Sequence, residues 1–310
     1  MDLLVGFHPE KTWGRVPPGE MHILRWFNDN FYECTHQEDN EEDDEGKVEE
    51  VSIDFICYTR MLRSVMNAPY NNRQDWICIA IKVRESIILD EIDTPSRQAS
   101  TDGQTNRQKA ASYAGYKFEE IITRRYDGVH RPTHDEGNRD SFYIVSKVKL
   151  NKHTILYCNR VDCALNKDQL DKPVDKMEFA QIKTRSANYY TAHQAKTFFW
   201  RKKVIPWWIE SMLGNINQIV CGDKDDNFYI RKISKLQVNS LPDERNIWSP
   251  RTCVTFLDMF LSFIKSMVTD ELTPYRFYCV PGKAIVCQKM NEPVENYLPS
   301  WFINDEEPYD

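Results

Sequence analysis

The 310-residue chain predicts a mixed α/β fold, a single domain over residues 1–310 with a central mixed sheet flanked by helices. Three observations lead there. Hydrophobic residues make up 41% and aromatics 12%, enough apolar area for one substantial core. Runs of strand length rich in β-branched residues alternate with segments of helical period. Their order, helix, three strands, helix, strand, suits helices packed on a mixed sheet.

Each element follows from its own pattern. Residues 38–50 (EDNEEDDEGKVEE) set nine acids against one Lys, so about 36–50 reads as a mobile, solvated acidic loop. A patch for a basic partner is its functional alternative. Residues 76–92 (WICIAIKVRESIILDEI) read as two strands turning near Arg84–Ser86. The polar stretch 94–109 separates them from a helix over 108–125, where Ala111, Ala114, Phe118, Ile121 and Ile122 recur at helical spacing. A second polar stretch, 127–140, leads to strands at 142–150, 154–163 and 177–184. A helix over 193–213 contains Pro206, which should kink or split it. Strands at 217–222 and 228–235 come next. Ser249 and Pro250 suit an N-cap and first turn for a helix over 251–268, and further strands close the chain.

The net charge of −7 and pI near 5.6 argue against a surface coated in basic residues. The acids are segregated, so a local basic groove stays compatible with that sum. Nine Cys, an odd number without zinc spacing, read as reduced thiols of an intracellular protein; Cys158 and Cys163 have no matching second pair. The first residues show no basic segment leading into an apolar run, and no apolar stretch of about 18 residues occurs. The expectation is a nucleocytoplasmic protein that meets no membrane.

The chemistry centres on Asp162 and on Gln181-Ile182-Lys183. Residues i and i+2 of a strand share a face, so Gln181 and Lys183 project together, beside Asp162 on the neighbouring strand. An acid followed by acid-x-Lys on such strands is the centre of a widespread metal-dependent nuclease fold. Acids there hold a divalent ion through oxygen, and the Lys orients the attacking water. The surrounding motifs sharpen this reading: Gly115-Tyr116-Lys117-Phe118-Glu119, Arg160-Val161-Asp162-Cys163, and Trp207-Trp208-Ile209-Glu210-Ser211-Met212-Leu213.

In their order and spacing these motifs resemble the DXO decapping exoribonuclease family, which includes the nuclear partner of a 5′→3′ exoribonuclease. The family's versions read Gly-Tyr-Lys-Phe-Glu, Glu-Val-Asp, Glu-Leu-Lys-Thr and Trp-Trp-x-Gln-Ser-Phe-Leu. The resemblance covers roughly 52–303 and includes Asn246-Ile247-Trp248-Ser249-Pro250 and Leu298-Pro299-Ser300-Trp301-Phe302. It implies a core of the PD-(D/E)XK nuclease type and a pocket for an RNA 5′ end. It also implies hydrolysis of incomplete or nicotinamide-type caps, or pyrophosphate release from 5′ triphosphates, with Mg²⁺ or Mn²⁺. Glu119, Asp162, Gln181 and the Ile182 carbonyl fall at the metal positions, and Lys183 and Glu210 at the catalytic ones. Arg60, Arg160, Arg185, Arg201 and Lys202 would contact RNA; Arg60 stands near the family's Arg-Gly, upstream of Pro69-Tyr70. Implied partners are RNA 5′ ends and a 5′→3′ exoribonuclease or other nuclear protein.

Three departures fall on this chemistry. Arg160 replaces the first strand acid, Gln181 the acid before x-Lys, and Glu210 the helix Gln. A guanidinium neither ligates a metal nor loses its proton. At about 4 Å and an effective dielectric of 20, its attraction for a carboxylate is about 4 kcal/mol, ample to compete with a bound cation. The first reading is therefore an RNA 5′-end-binding protein, catalytically impaired, like inactive paralogues such as the insect germline protein Cutoff. The second is an active decapping hydrolase in which Glu210 supplies the carboxylate missing at 181; strand parity makes Glu178 the poorer substitute. The third is a scaffold with a vestigial pocket.

Bland readings stand beside these. Trp207 and Trp208 are expected to pack the sheet, because adjacent residues do not share a helix face. Arg201, Lys202 and Lys203, with Arg185 and Lys196, form either a solvated face or a rim that tracks RNA phosphates. His153 and His193 are expected at the surface.

Overall fold

A computed structural model of the chain describes residues 1–9, 22–38, 48–123, 142–187, 200–242 and 248–304. Helices α1 (His22–Asp29) and α2 (Phe31–Thr35) lead into strand β1 (His36–Glu38), which pairs with β2 (Val48–Glu50). The acidic run is thus bracketed by paired strands, and 39–47 lie outside the described residues. Next come β3 (Phe55–Tyr58) and α3 (Thr59–Asn67), then β4 (Trp76–Val83) and β5 (Ser86–Ile92), joined through Arg84 at φ 54°. The polar stretch after them is partly helical, α4 (Pro95–Asp102). It buries no residue, so it carries no apolar period to read. Helix α5 (Asn106–Ile122) starts at a capping box, in which the Thr105 side chain accepts from Gln108 N–H and the Gln108 side chain accepts from Thr105 N–H.

The chain continues through β6 (Phe142–Leu150), β7 (His153–Val161), β8 (Cys163–Ala164) and β9 (Phe179–Ser186). A π turn over Trp200–Val204 runs into α6 (Ile205–Leu213). Pro206 falls in the first turn of α6, where a missing N–H is tolerated, so the wide turn lies ahead of it. The start of the expected 193–213 helix, His193 and Lys196 included, lies outside the described residues. Then follow β10 (Gln218–Lys224), β11 (Ile230–Gln237), α7 (Pro250–Met267), β12 (Pro274–Cys279), β13 (Val286–Lys289) and α8 (Ser300–Ile303). No helix among the described residues is long and apolar enough to cross a membrane. All nine cysteines are free thiols.

The chain divides into two compact units. One comprises Pro18–Arg97, Val145–Asn159 and Arg251–Asp310. It holds most of a large mixed sheet in the order β13-β12-β4-β5-β3-β7-β6, with β3 parallel to β5 and β7 and the β12-β4-β5 ladder antiparallel. Helix α7 packs on it through Phe260, edge-on to Trp76 and Phe277, and α3 buries Met61, Leu62, Val65 and Met66. His153, expected at the surface, is fully buried here: its Nε2 lies 2.9 Å from Ser262 Oγ and its ring meets Phe55 edge-on. As the first residue of an interior strand it faces α7 with Ile155 and Tyr157, a position that no single-residue reading reveals.

The other unit comprises Met1–Pro17, Gln98–Ile144 and Arg160–Pro250. Its sheet runs β11-β10-β9-β8, with β9 and β10 parallel and the outer pairs antiparallel. Ala110, Ala114 and Phe118 of α5 pack with Ile182 and Phe228 on one face. Gly222 allows this approach: a Cβ there would lie 2.7 Å from the Phe118 ring and 2.8 Å from Ile230. Helix α6 covers the opposite face, which places the Gln181-Ile182-Lys183 segment between two helices.

Candidate functional site

Alternation along β9 decides which helix each motif residue meets. Gln181 and Lys183 turn to α6, and Ile182 between them enters the α5 core. The Lys183 ammonium donates to Glu210 Oε2 at 2.9 Å. Ser211 Oγ donates to the Gln181 amide oxygen at 3.0 Å, and both residues are buried. Gln181 therefore spends its acidlike oxygen on a helix hydroxyl. Trp207 and Trp208 are buried as expected, with Trp208 edge-on to Trp248 at 5.1 Å.

Asp162 sits in the break between β7 and β8. One carboxylate oxygen accepts the Ile182 N–H at 2.8 Å, which ties the break to β9. The other accepts from the Arg160 guanidinium. A second guanidinium nitrogen lies 3.5 Å from Glu119 Oε1, so Arg160 bridges the helix acid and the strand acid. Burial, and then the Asp162 and Glu119 charges, push the adjacent Cys163 thiol up to about 11.

The remaining sequence-predicted residues divide in the same physical terms. Arg185, two residues beyond Lys183, grips Asp223 on β10 at 2.5 and 3.4 Å. Lys202 is exposed in the π turn; the side chain of Arg201 lies outside the described residues. Arg60 belongs to the other unit, where it pairs with Asp93 at 2.5 Å and with Glu91 at 3.6 Å. Glu178, the poorer substitute by parity, precedes β9 and hydrogen-bonds to Gln169. Sequence reasoning missed Ser211 and Asp223 as partners. Ser211 lay inside a quoted motif with no role assigned, whereas Asp223 is found only through its register opposite Arg185.

Comparison with known proteins places these features. A family model described as RAI1 like PD-(D/E)XK nuclease matches residues 21–303. A curated relative named decapping and exoribonuclease protein, from Xenopus laevis, is 27% identical over 92% of this chain and 71% of its own length. The fold is shared with Scheffersomyces stipitis Rai1 in complex with (3′-NADP)⁺ and calcium ion, at TM-score 0.75 and 19% identity over 98% of this chain and 84% of that one. Candida albicans Rai1 in complex with pU5-Mn²⁺ gives TM-score 0.75 and 15% identity over 98% and 85%.

Those neighbours carry a divalent ion, and the donor set of this chain does not fit one. Among the described residues no three acidic, His or Cys side chains gather in metal-ligating range. Arg160 stands between Glu119 and Asp162, Glu210 is paired to Lys183, and the Gln181 oxygen is bound to Ser211. Fold, motif order and the β9 segment clasped between α5 and α6 lead to one assignment, that the chain belongs to the RAI1-like PD-(D/E)XK nuclease family.

Proposed function

We propose that this protein binds RNA 5′ ends in the pocket of its family and is catalytically impaired, acting in nuclear RNA 5′-end quality control or protection. The observation that carries this reading is the Arg160 bridge between Glu119 and Asp162. A guanidinium fixed by two carboxylates supplies positive charge where a metal would sit, yet it has no exchangeable water to activate. It offers no nucleophile, and its charge partly offsets Glu119 and Asp162, so the site repels a 5′ phosphate less than two bare carboxylates would. The two units act together as one nuclease-type domain in this reading, which the family match over residues 21–303 supports. The pU5 complex of the Candida relative supports RNA as the ligand class.

The test is release of cap or pyrophosphate from 5′-end-labelled RNA with Mn²⁺, beside an Asp162→Ala control. The expected result is no turnover, with labelled RNA still retained on the wild-type protein. Turnover that disappears in the control would overturn the impairment and favour a site rebuilt around Glu210. Failure to retain RNA would overturn the binding function itself.

A further inference from the structure

The unit that carries most of the seven-stranded sheet buries a titratable ring that the proposed function does not use. His153, fully buried at the start of β7, faces α7, where Asp258, Ser262 and Lys265 recur at helical spacing on one side. Its Nε2 lies 2.9 Å from Ser262 Oγ and 3.8 Å from Asp258 Oδ1, the second too long for a hydrogen bond. Among the described residues, neither His153 Nδ1 nor that Asp258 oxygen has a hydrogen-bond partner, and both atoms are buried. Phe55 brings the nearest cation to the same place: its ring centre lies 5.6 Å from the His153 ring and 5.8 Å from the Lys265 ammonium. Lys265 donates to Asp54 at 2.5 Å, and the other Asp54 oxygen accepts the Thr154 N–H at 2.7 Å.

These surroundings suit a neutral ring. A neutral imidazole leaves Nδ1 unpaired at modest cost, whereas a charged one would hold an unpaired N–H on a cation, away from water. Burial, and then the Lys265 charge, lower the His153 pKa; Asp258 and Asp54 raise it, and Lys152 lowers it. The result is downward from 6.5. Asp54 is already shared between Lys265 and the Thr154 amide, and Asp258 stands beyond hydrogen-bond range of the ring.

We propose that His153 is a proton-sensitive latch for α7: its neutral ring fastens the second half of the helix to the sheet, and protonation loosens it. A base whose folded pKa lies below its unfolded value of 6.5 takes up a proton on opening, so opening is favoured as pH falls through 6.5. One proton bounds the effect. Between about pH 7.5 and about pH 5.5 the opening constant rises by at most about tenfold.

The test is hydrogen exchange of the α7 backbone at those two pH values, expressed as protection relative to the free-peptide rate, beside an NMR titration of the His153 ring. The ring is expected to titrate below 6.5. Protection of α7 is expected to fall about three- to tenfold on acidification, and that of β4 to change less. His153→Gln, which cannot take up the proton, should abolish the fall. Lys265→Met leaves the ring in place and removes its nearest repelling charge; it should raise the ring's midpoint and shrink the fall. That variant tests the latch independently if His153→Gln does not fold. A ring that titrates at or above 6.5, an equal fall in β4, or an α7 fall unchanged in either variant would overturn the latch and leave 5′-end binding untouched.

Discussion

At the residue scale, the site is a set of paired charges and one buried amide. Arg160 with Glu119 and Asp162, Lys183 with Glu210, and Arg185 with Asp223 each keep a cation beside a carboxylate in partly desolvated surroundings. Breaking one of these pairs leaves an uncompensated charge, which is worse than the pair is good. The Gln181–Ser211 bond follows the same logic without charge. Replacing Ser211 with Ala leaves the Gln181 oxygen buried and unpaired, an expected loss of about 1–3 kcal/mol in urea denaturation. A loss below about 0.5 kcal/mol would show that Gln181 finds another donor. The replacement of an acid by Gln at 181 was legible in the sequence. That a helix hydroxyl holds it required the position of α6 across the sheet.

At the element scale, β9 is the organiser: its parity sends alternate residues to α5 and α6, and its parallel partner β10 sets what stands opposite each one. Gly222 on β10 is the close contact on which the α5 side depends. Gly222→Ala puts a Cβ 2.7 Å from the Phe118 ring, which is fully buried in the α5 core and has little room to move away. The expected loss is about 1–3 kcal/mol by overpacking, read as a lower thermal midpoint. Unchanged stability would mean that α5 is free to shift. Strands, the α5 helix and the Ser249-Pro250 start of α7 were readable because their signals are local. Helix α3 was not assigned, although its spacing is amphipathic, and α4 was unreadable because it buries nothing.

At the scale of the whole molecule, the nine thiols report how dry the interior is. Seven are buried and two partly so, and burial raises the pKa of each. Cys158 and Cys253 are pushed up to about 12, and Cys163, Cys221 and Cys279 to about 11, from the ordinary thiol value of 9.0. The sign follows from linkage. A thiol protonated in the fold but ionised in the unfolded chain favours unfolding as pH rises from 9.0 towards those raised values. The urea midpoint, measured with reductant present, is therefore expected to fall between about pH 8 and about pH 10. A flat or rising midpoint would contradict the buried placement.

By itself the sequence determined the kind of chain this is. Strand alternation and helical spacing gave most of the secondary structure, because each depends on residues within a turn or two of one another. The ordered motifs gave the family, and the residue types at 160 and 181 gave the altered charge of the pocket. Only the tertiary structure decided what those charges do. The Arg160 bridge, the lock of Gln181 to Ser211 and the Arg185–Asp223 pair all join residues on different elements. Their energies depend on distance and burial, and both are fixed by the packing of α5 and α6 on the sheet rather than by separation along the chain.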